Sequence, residues 1–235
     1  VPADGDLWVS YSVNKEDMWI SRIPVPVEIN ASAHADDDFS KSGSIAELTN
    51  WNIYSPVWAP VSLEGEWLKL QDKDPFDYAK VERKIPASKE LKVSFDLSAG
   101  QNDKGILQID FLDENSIACS RSELTPDGIF RMKGGSRFAN MMNYEAGKTY
   151  HVEAVLSTAD RNIQVYVDGK RVGLRMFYSP VATIERIAFR TGEMRTFPTV
   201  DTPADQTYDL PDAGGQEPLA EYRIANVKTS STDKD

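Results

Sequence analysis

Cationic side chains recur between positions 121 and 137 of this sequence, in a chain whose formal net charge is −11. A guanidinium group presents parallel N–H donors that match a carboxylate, and Gly134-Gly135 allows close backbone approach. The stretch therefore predicts a groove that receives an acidic sugar, with a further arginine beside a long loop completing it. The alternative is an ordinary solvated strand and loop. The predicted ligand-binding residues are Arg121, Glu123, Arg131, Lys133, Arg137 and Arg190.

Catalysis by a pair of carboxylates is a second chemistry that one segment of the sequence suggests. Glycosidases flank the cleaved bond with two carboxyl groups. The segment QIDFLDE, at 108–114, resembles the E-x-D-x-x-E strand of laminarinase-like hydrolases, but Gln108 stands where the nucleophile would be. We expect a strand whose polar face meets solvent, and we assign no catalytic residue.

The tetrad RSEL at 121–124 resembles the R-[ST]-E-L strand of alginate lyases, and this resemblance implies that Arg121 neutralises a uronate carboxylate. A lyase also needs a base and an acid, commonly His and Tyr. Here Gln108-Ile109-Asp110 precedes the tetrad instead of following it, and His151 opens a predicted core strand. A lyase or hydrolase with its site on the concave sheet remains the alternative to a binding module.

Three aspartates in QDKDPFDY have a spacing that could hold calcium, which prefers carboxylate and carbonyl oxygens. The segment lacks the glycine turn of an EF-hand, so capping of a turn is the competing interpretation. The predicted metal ligands are Asp72, Asp74 and Asp77, and calcium is the one cofactor that the sequence suggests.

The composition excludes several classes of function. Neutralising phosphates needs clustered Lys and Arg over a whole surface, so the acidic charge argues against nucleic acid as a partner. No apolar run approaches the roughly 18 residues of a membrane span. The single cysteine, Cys119, cannot form an intramolecular disulfide, and with His34 and His151 it is too sparse for a zinc site.

Short alternating segments dominate the chain and predict an all-β, two-sheet antiparallel sandwich. Val93, Phe95 and Leu97 alternate with polar residues, as the strands of a half-solvated sheet do. Asp127-Gly128 and Asp168-Gly169 are hairpin turn signals. The predicted strands are 51–57, 67–71, 79–84, 91–97, 106–112, 117–122, 129–132, 150–157, 162–167, 184–191 and 221–229.

The chain divides into four predicted parts. Residues 1–27 form a β-hairpin around the polar turn at 14–17. Residues 28–38, which follow Pro24 and Pro26 and end in three successive aspartates, form a solvated linker. The sandwich occupies 39–229, and 230–235 is a polar tail. Within the sandwich, residues 192–215 form a long connection of the kind that is usually functional or disordered.

Two segments carry a family resemblance. TYHVEAVLSTADRNIQVYVDGKRV, at 149–172, resembles the strand-turn-strand of concanavalin A-like and laminin G-like jelly rolls, and 54–86 resembles the opening of such domains in bacterial polysaccharide-degrading proteins. The N-terminal LWVSYSVNKEDMWISRIPVPV is similar to the closing blade of BNR-repeat, sialidase-like propellers of gut Bacteroidetes. These propellers often carry such a sandwich at their C-terminus.

The resemblance implies an accessory or carbohydrate-binding sandwich of a secreted, sialidase-like protein, with the catalytic propeller upstream of this sequence. Its expected partners are a glycan or polysaccharide and the propeller itself, and its expected location is secreted, periplasmic or cell-surface. A lyase or hydrolase is one alternative. A purely structural domain that packs on the propeller is the other.

Overall fold

The computed structural model describes residues 5–13, 17–25, 32–75, 77–192, 215–231 and 233. Over these residues the regular secondary structure is β-strand, apart from two single-turn 3-10 helices at Phe39–Lys41 and Ile45–Glu47. The predicted all-β class is confirmed, because Val, Ile, Phe and Tyr at alternate positions favour a pleated, half-buried surface. No helix in the described part of the chain is long and apolar enough to cross a bilayer.

The N-terminal unit is a two-stranded antiparallel hairpin of β1 (Gly5–Val13) and β2 (Asp17–Val25), as the alternation in this segment predicts. Strand pairing places Leu7 and Tyr11 on one face and Trp8 and Ile20 on the other. Each of these four side chains is exposed within the hairpin, so neither face has an apolar cover there.

The first sheet of the sandwich has seven antiparallel strands. In spatial order these are β12 (Arg137–Asn143), β11 (Ile129–Gly134), β10 (Ala118–Leu124), β9 (Leu107–Leu112), β16 (Ile184–Thr191), β7 (Lys80–Ser88) and β4 (Trp51–Tyr54). Its central strands, β9, β10 and β16, are distant in sequence from β7 and β4, so this surface is assembled from most of the chain.

The second sheet has eight antiparallel strands. In spatial order these are β15 (Lys170–Met176), β14 (Asn162–Val167), β13 (Thr149–Ser157), β8 (Glu90–Ala99), β17 (Ala220–Ser231), β6 (Trp67–Asp72) and β5 (Val61–Glu64), with β3 (Asp36–Asp37) paired to β17. The predicted two-sheet sandwich is therefore confirmed.

Apolar side chains from alternate positions fill the space between the sheets. Phe95 of β8 meets Phe189 of β16 edge-on, with ring centroids 5.1 Å apart, and Phe189 also stacks on Trp51 at 6.5 Å. Each of these rings is at least nine-tenths buried. Contacts between aromatic rings of opposite sheets tie the two layers together.

A buried arginine ties the segment before the first 3-10 helix to the sandwich. Arg83 is 2% exposed, and its Nε donates to Asp37 Oδ2 at 2.7 Å, while Trp51 Nε1 donates to the same oxygen at 2.9 Å. Asp37 also pairs with Val227 of β17. Here the structure differs from the predicted solvated linker: a buried guanidinium requires a carboxylate, and Asp37 supplies it.

Four strands are missing from the sequence prediction, namely β3, β5, β12 and β15. The last two are edge strands, and each contains or adjoins a bulge that breaks the alternation. The predicted turns at Asp127-Gly128 and Asp168-Gly169 are present, and both glycines have positive φ. The long connection predicted at 192–215 lies, except for its two ends, outside the described residues.

Candidate functional site

Polar side chains occupy the outer face of the seven-stranded sheet, because their neighbours in each strand are buried in the core. Ile109 and Met132, for example, point inward, so the residues on either side of them point outward. The register then aligns these outward residues across strands. We call this surface the polar face; it comprises Gln108, Asp110, Arg121, Glu123, Arg131, Lys133 and Arg190.

Arg121 and Asp110 are directly opposed in β10 and β9. Arg121 Nε donates to Asp110 Oδ1 at 2.8 Å, and Nη2 donates to Oδ2 at 2.7 Å. The two residues are 9% and 7% exposed, so the pair is bidentate and largely shielded from water. The guanidinium is thereby held in one orientation on the sheet.

Glu123 links three strands. Its Oε1 accepts from Gln108 Nε2 at 3.0 Å, and its Oε2 accepts from Arg131 Nε at 2.8 Å. Both carboxylate oxygens are thus engaged by side chains of the neighbouring strands. The other amide atom, Gln108 Oε1, is buried and has no hydrogen-bond donor among the described residues.

Aromatic rings lie beneath three of the cations. The Arg190 guanidinium lies 3.8 Å from the ring centroid of Tyr78, and Lys133 Nζ lies 4.4 Å from that of Tyr178. Burial lowers the pKa of Arg190 below its usual value. Burial, reinforced by Asp110, raises the pKa of Tyr178 to about 12, so its hydroxyl stays neutral at physiological pH.

Phe138 of the edge strand β12 adds a third ring, 4.4 Å from the Arg131 guanidinium carbon. Sequence reasoning overlooked Tyr78, Tyr178 and Phe138. The two tyrosines stand in loops next to strand ends, where no periodic signal reports their direction. Aromatic residues that flank a row of cations are the pattern that could have indicated them.

Five of the six predicted ligand-binding residues share the polar face, and Arg137 does not. Arg137 pairs with Gly134, whereas its neighbour Phe138 pairs with Lys133. Because side chains alternate along a strand, Arg137 is directed to the opposite face from Phe138. It lies at the edge of the sheet and is exposed.

The predicted calcium ligands hydrogen-bond their own loop. Asp72 Oδ1 accepts from the backbone N–H of Asp74 at 2.9 Å, and Asp74 Oδ1 accepts from that of Asp77 at 2.8 Å. Asp77 Oδ2 accepts from the Tyr54 hydroxyl at 2.8 Å. Over the described ranges no group of three or more His, Cys, Asp or Glu side chains is arranged to hold a metal ion, so this geometry lends the calcium prediction no support.

The candidate base His151 lies on the eight-stranded sheet, away from the polar face. Its Nδ1 is 2.7 Å from Asp96 Oδ1, and Asn226 Nδ2 donates to the other oxygen of Asp96 at 2.7 Å. Asp96 and His151 are cross-strand partners in β8 and β13. The residues of the lyase hypothesis are therefore divided between two different sheets.

The comparisons with solved structures agree with this architecture. A sialidase structure is 98% identical over the whole chain, with a TM-score of 0.90, and the chain spans 22% of that protein's length. A structure described with endo-acting O-glycanases that human gut microbiota express to initiate mucin breakdown is 14% identical; the match covers 84% of this chain and 98% of the other, with a TM-score of 0.60.

An alginate lyase of polysaccharide lyase family 7 is 12% identical, covering 78% of this chain and 95% of its own, with a TM-score of 0.50. At such low identities these two likenesses show the fold alone. No curated protein matches the chain. A family model described as "Sialidase-like, CBM domain" matches residues 51–206, which is most of the chain. The chain belongs to this family of sialidase-like carbohydrate-binding module domains.

Proposed function

We propose that the sandwich is an accessory carbohydrate-binding module, and that it binds its glycan on the polar face. The observation that carries this proposal is the fixed arrangement of buried donors and acceptors there. Asp110 and Glu123 hold Arg121 and Arg131 in place before any ligand arrives. A preorganised site loses less entropy when it binds, which favours recognition of polar ligands.

Sugar rings offer hydroxyl groups at their edges and C–H groups on their faces. The polar face has complementary groups for both, since its hydrogen-bonding side chains lie beside Tyr78 and Tyr178. The buried acceptor Gln108 Oε1 has no donor among the described residues, so a ligand hydroxyl that reaches it would relieve an uncompensated polar group.

A catalytic role for this face has less support. A glycosidase needs one carboxyl group that can give a proton, yet Asp110 and Glu123 each accept hydrogen bonds from an arginine. A lyase needs a base near the arginine that binds the uronate, yet His151 is bonded to Asp96 on the other sheet. The geometry therefore favours binding over turnover.

We further propose that the domain is part of a longer, secreted or cell-surface glycan-degrading protein, since the chain spans 22% of the similar sialidase. The division into a hairpin at 1–27 and a separate sandwich belongs to this proposal. Trp8, Met18 and Ile20 are 63%, 75% and 68% exposed, which indicates that the hairpin packs on another part of the parent protein. We propose that this other part is a propeller that precedes the hairpin in the parent protein.

A panel of neutral and acidic glycans tests the binding proposal. We expect the chain to bind at least one glycan without releasing reducing ends or unsaturated uronides. Tyr178→Ala should weaken that binding at least about fivefold, as loss of a central aromatic contact does. His151→Ala, on the other sheet, is the matched control and should bind like the wild type. Equal loss in both variants would place the site elsewhere, and turnover that disappears in Glu123→Ala would establish the enzyme hypothesis.

A further inference from the structure

A continuous line of side chains crosses six of the seven strands of the first sheet. Each member of this line is the direct cross-strand partner of the next, so the line runs at right angles to the strands. We call it the cross-strand row. In order from β4 to β11 its members are Tyr54, Lys80, Arg190, Gln108, Glu123 and Arg131.

The cross-strand row lies on the outer surface of the sheet. The residues next to its members within the strands face the core, and Val81, Phe189 and Ile109 among them are at most 2% exposed. Because side chains alternate along a strand, the row itself faces outward. Directly opposed residues on one surface are nearest neighbours, so the row is an unbroken track from one side of the sheet towards the other.

The row is shielded at its centre and accessible on both sides of that centre. Arg190, Gln108 and Glu123, on three adjacent strands, are buried. The side chains of Lys80 and Arg131, which flank these three, are 33% and 35% exposed. A ligand on this surface therefore has two accessible ends to contact, with a shielded hydrogen-bonded floor between them.

Both ends of the row carry aromatic rings. At the β4 end the ring centroids of Tyr54 and Tyr78 are 5.3 Å apart. Asp77 holds both residues, because its Oδ2 accepts from the Tyr54 hydroxyl at 2.8 Å and its Oδ1 accepts from the Tyr78 backbone N–H at 2.9 Å. At the other end Phe138, which is 37% exposed, lies against the Arg131 guanidinium. Each end thus offers an apolar ring surface beside hydrogen-bonding groups, which suits one sugar.

The distance between the ends sets the length of a ligand that contacts both. From Tyr54 to Arg131 the row crosses five strand spacings, which is about 24 Å. An extended glycan advances by roughly one such spacing per sugar. A terminal sugar therefore contacts one end only, whereas a chain of about four or more sugars reaches both.

We propose that the cross-strand row binds an internal stretch of a linear polysaccharide, with the glycan chain running across the strands. This inference rests on the proposed function, because four members of the row belong to the polar face. It adds the class of ligand, an extended chain in place of a terminal sugar. Contacts at two linked positions reinforce each other, so affinity rises with chain length until both ends are occupied.

Affinity electrophoresis in gels that contain alginate, polygalacturonate, laminarin or xylan tests the chain for polymer binding. Oligosaccharides of one to six sugars from each retarding polymer are then titrated by calorimetry. We expect at least one polymer to retard the chain. The affinity should rise at least about tenfold from the disaccharide to the pentasaccharide, with little further gain for the hexasaccharide.

Variants at the two ends show whether one ligand contacts both. Tyr54→Ala and Phe138→Ala should each weaken hexasaccharide binding about fivefold, whereas disaccharide binding should respond to at most one of them. Tyr166→Ala is the matched control, since Tyr166 lies on the outer surface of the eight-stranded sheet, and it should bind the hexasaccharide like the wild type. Thermal melts check that each variant is folded.

Three results would overturn the inference: equal affinity for the disaccharide and the hexasaccharide, a hexasaccharide that responds to only one end variant, or no retardation by any of the four polymers. None of them touches the glycan panel or its Tyr178→Ala comparison. A face that binds short glycans would pass those tests and fail these, so the two proposals are tested separately.

Discussion

Asp110 and Arg121 face each other across β9 and β10 and are joined by two charged hydrogen bonds of 2.8 and 2.7 Å. The pair lies on the outside of a sheet, where strand residues are ordinarily solvated, yet each of the two side chains is only 11% exposed. A sandwich does not need a shielded ion pair on its outer surface to fold. We propose that this surface is shaped for a ligand.

Removing one member of that pair should destabilise the fold. Asp110→Ala leaves the Arg121 guanidinium buried without its carboxylate, which we expect to cost about 3 kcal/mol of unfolding free energy in urea. The double variant D110A/R121A should cost less than Asp110→Ala alone, because no uncompensated charge remains. Additive losses would show that the two residues are not coupled.

The ion pair between buried Arg83 and partly buried Asp37 predicts a larger effect. Asp37→Ala removes the carboxylate that binds both Arg83 and Trp51, and should lower the free energy of unfolding by about 3 to 5 kcal/mol. Asp36→Ala is the matched control, since the neighbouring Asp36 carboxylate is exposed and, within the described part of the chain, forms an ion pair only with the exposed Lys228. A similar loss of stability in both variants would show that the loss comes from disrupting strand β3 and not from removing the carboxylate that binds Arg83.

Asp72 predicts a pH dependence of stability. Burial raises its pKa to about 6, so between about pH 4 and 6 the folded state binds more protons than the unfolded state. The stability contributed by the protonated carboxyl is present at low pH and is lost as the pH rises through about 6. Asp72→Asn should remove this dependence and be more stable than wild type at pH 8, by about 1 to 3 kcal/mol.

Thermal melts from pH 4 to 8, with EDTA present, measure this difference. Asp103→Asn is the control, because the Asp103 side chain is largely exposed. If the melting temperatures of wild type and Asp72→Asn changed with pH in the same way, Asp72 would not be the source of the pH dependence.

Cys119 should be chemically silent in the folded protein. Its thiol is fully buried, and burial raises its pKa to about 12, so hardly any reactive thiolate forms at pH 8. We expect iodoacetamide to label the chain only as fast as it unfolds, with rapid labelling in urea. Fast labelling under native conditions would show that β10 opens locally.

The side chains that face the core could be predicted from the sequence, because the alternation of apolar and polar residues is visible within each strand. Val93, Phe95 and Leu97 alternate within one strand, and all three are buried as that pattern requires. Arg121 and Glu123 are two residues apart in one strand, so the same alternation predicts that they share a face. The edge strands β12 and β15 could not be found in this way, since exposure and bulges remove the alternation.

The partners within the site could not be predicted, because they depend on the register between strands and on loop conformation. No local pattern places Asp110 opposite Arg121, or Tyr178 under Lys133. Arg137 was assigned to the groove by its nearness in sequence, but a one-residue step along a strand reverses the face.

The most direct test of the account is the set of backbone amides whose NMR signals shift when a glycan from the panel binds. We expect these shifts to be concentrated in β9, β10, β11 and β16. The amides of β8 and β13 should show only small indirect shifts transmitted through the core. Shifts confined to the eight-stranded sheet around Asp96 and His151, or spread over both sheets alike, would contradict it.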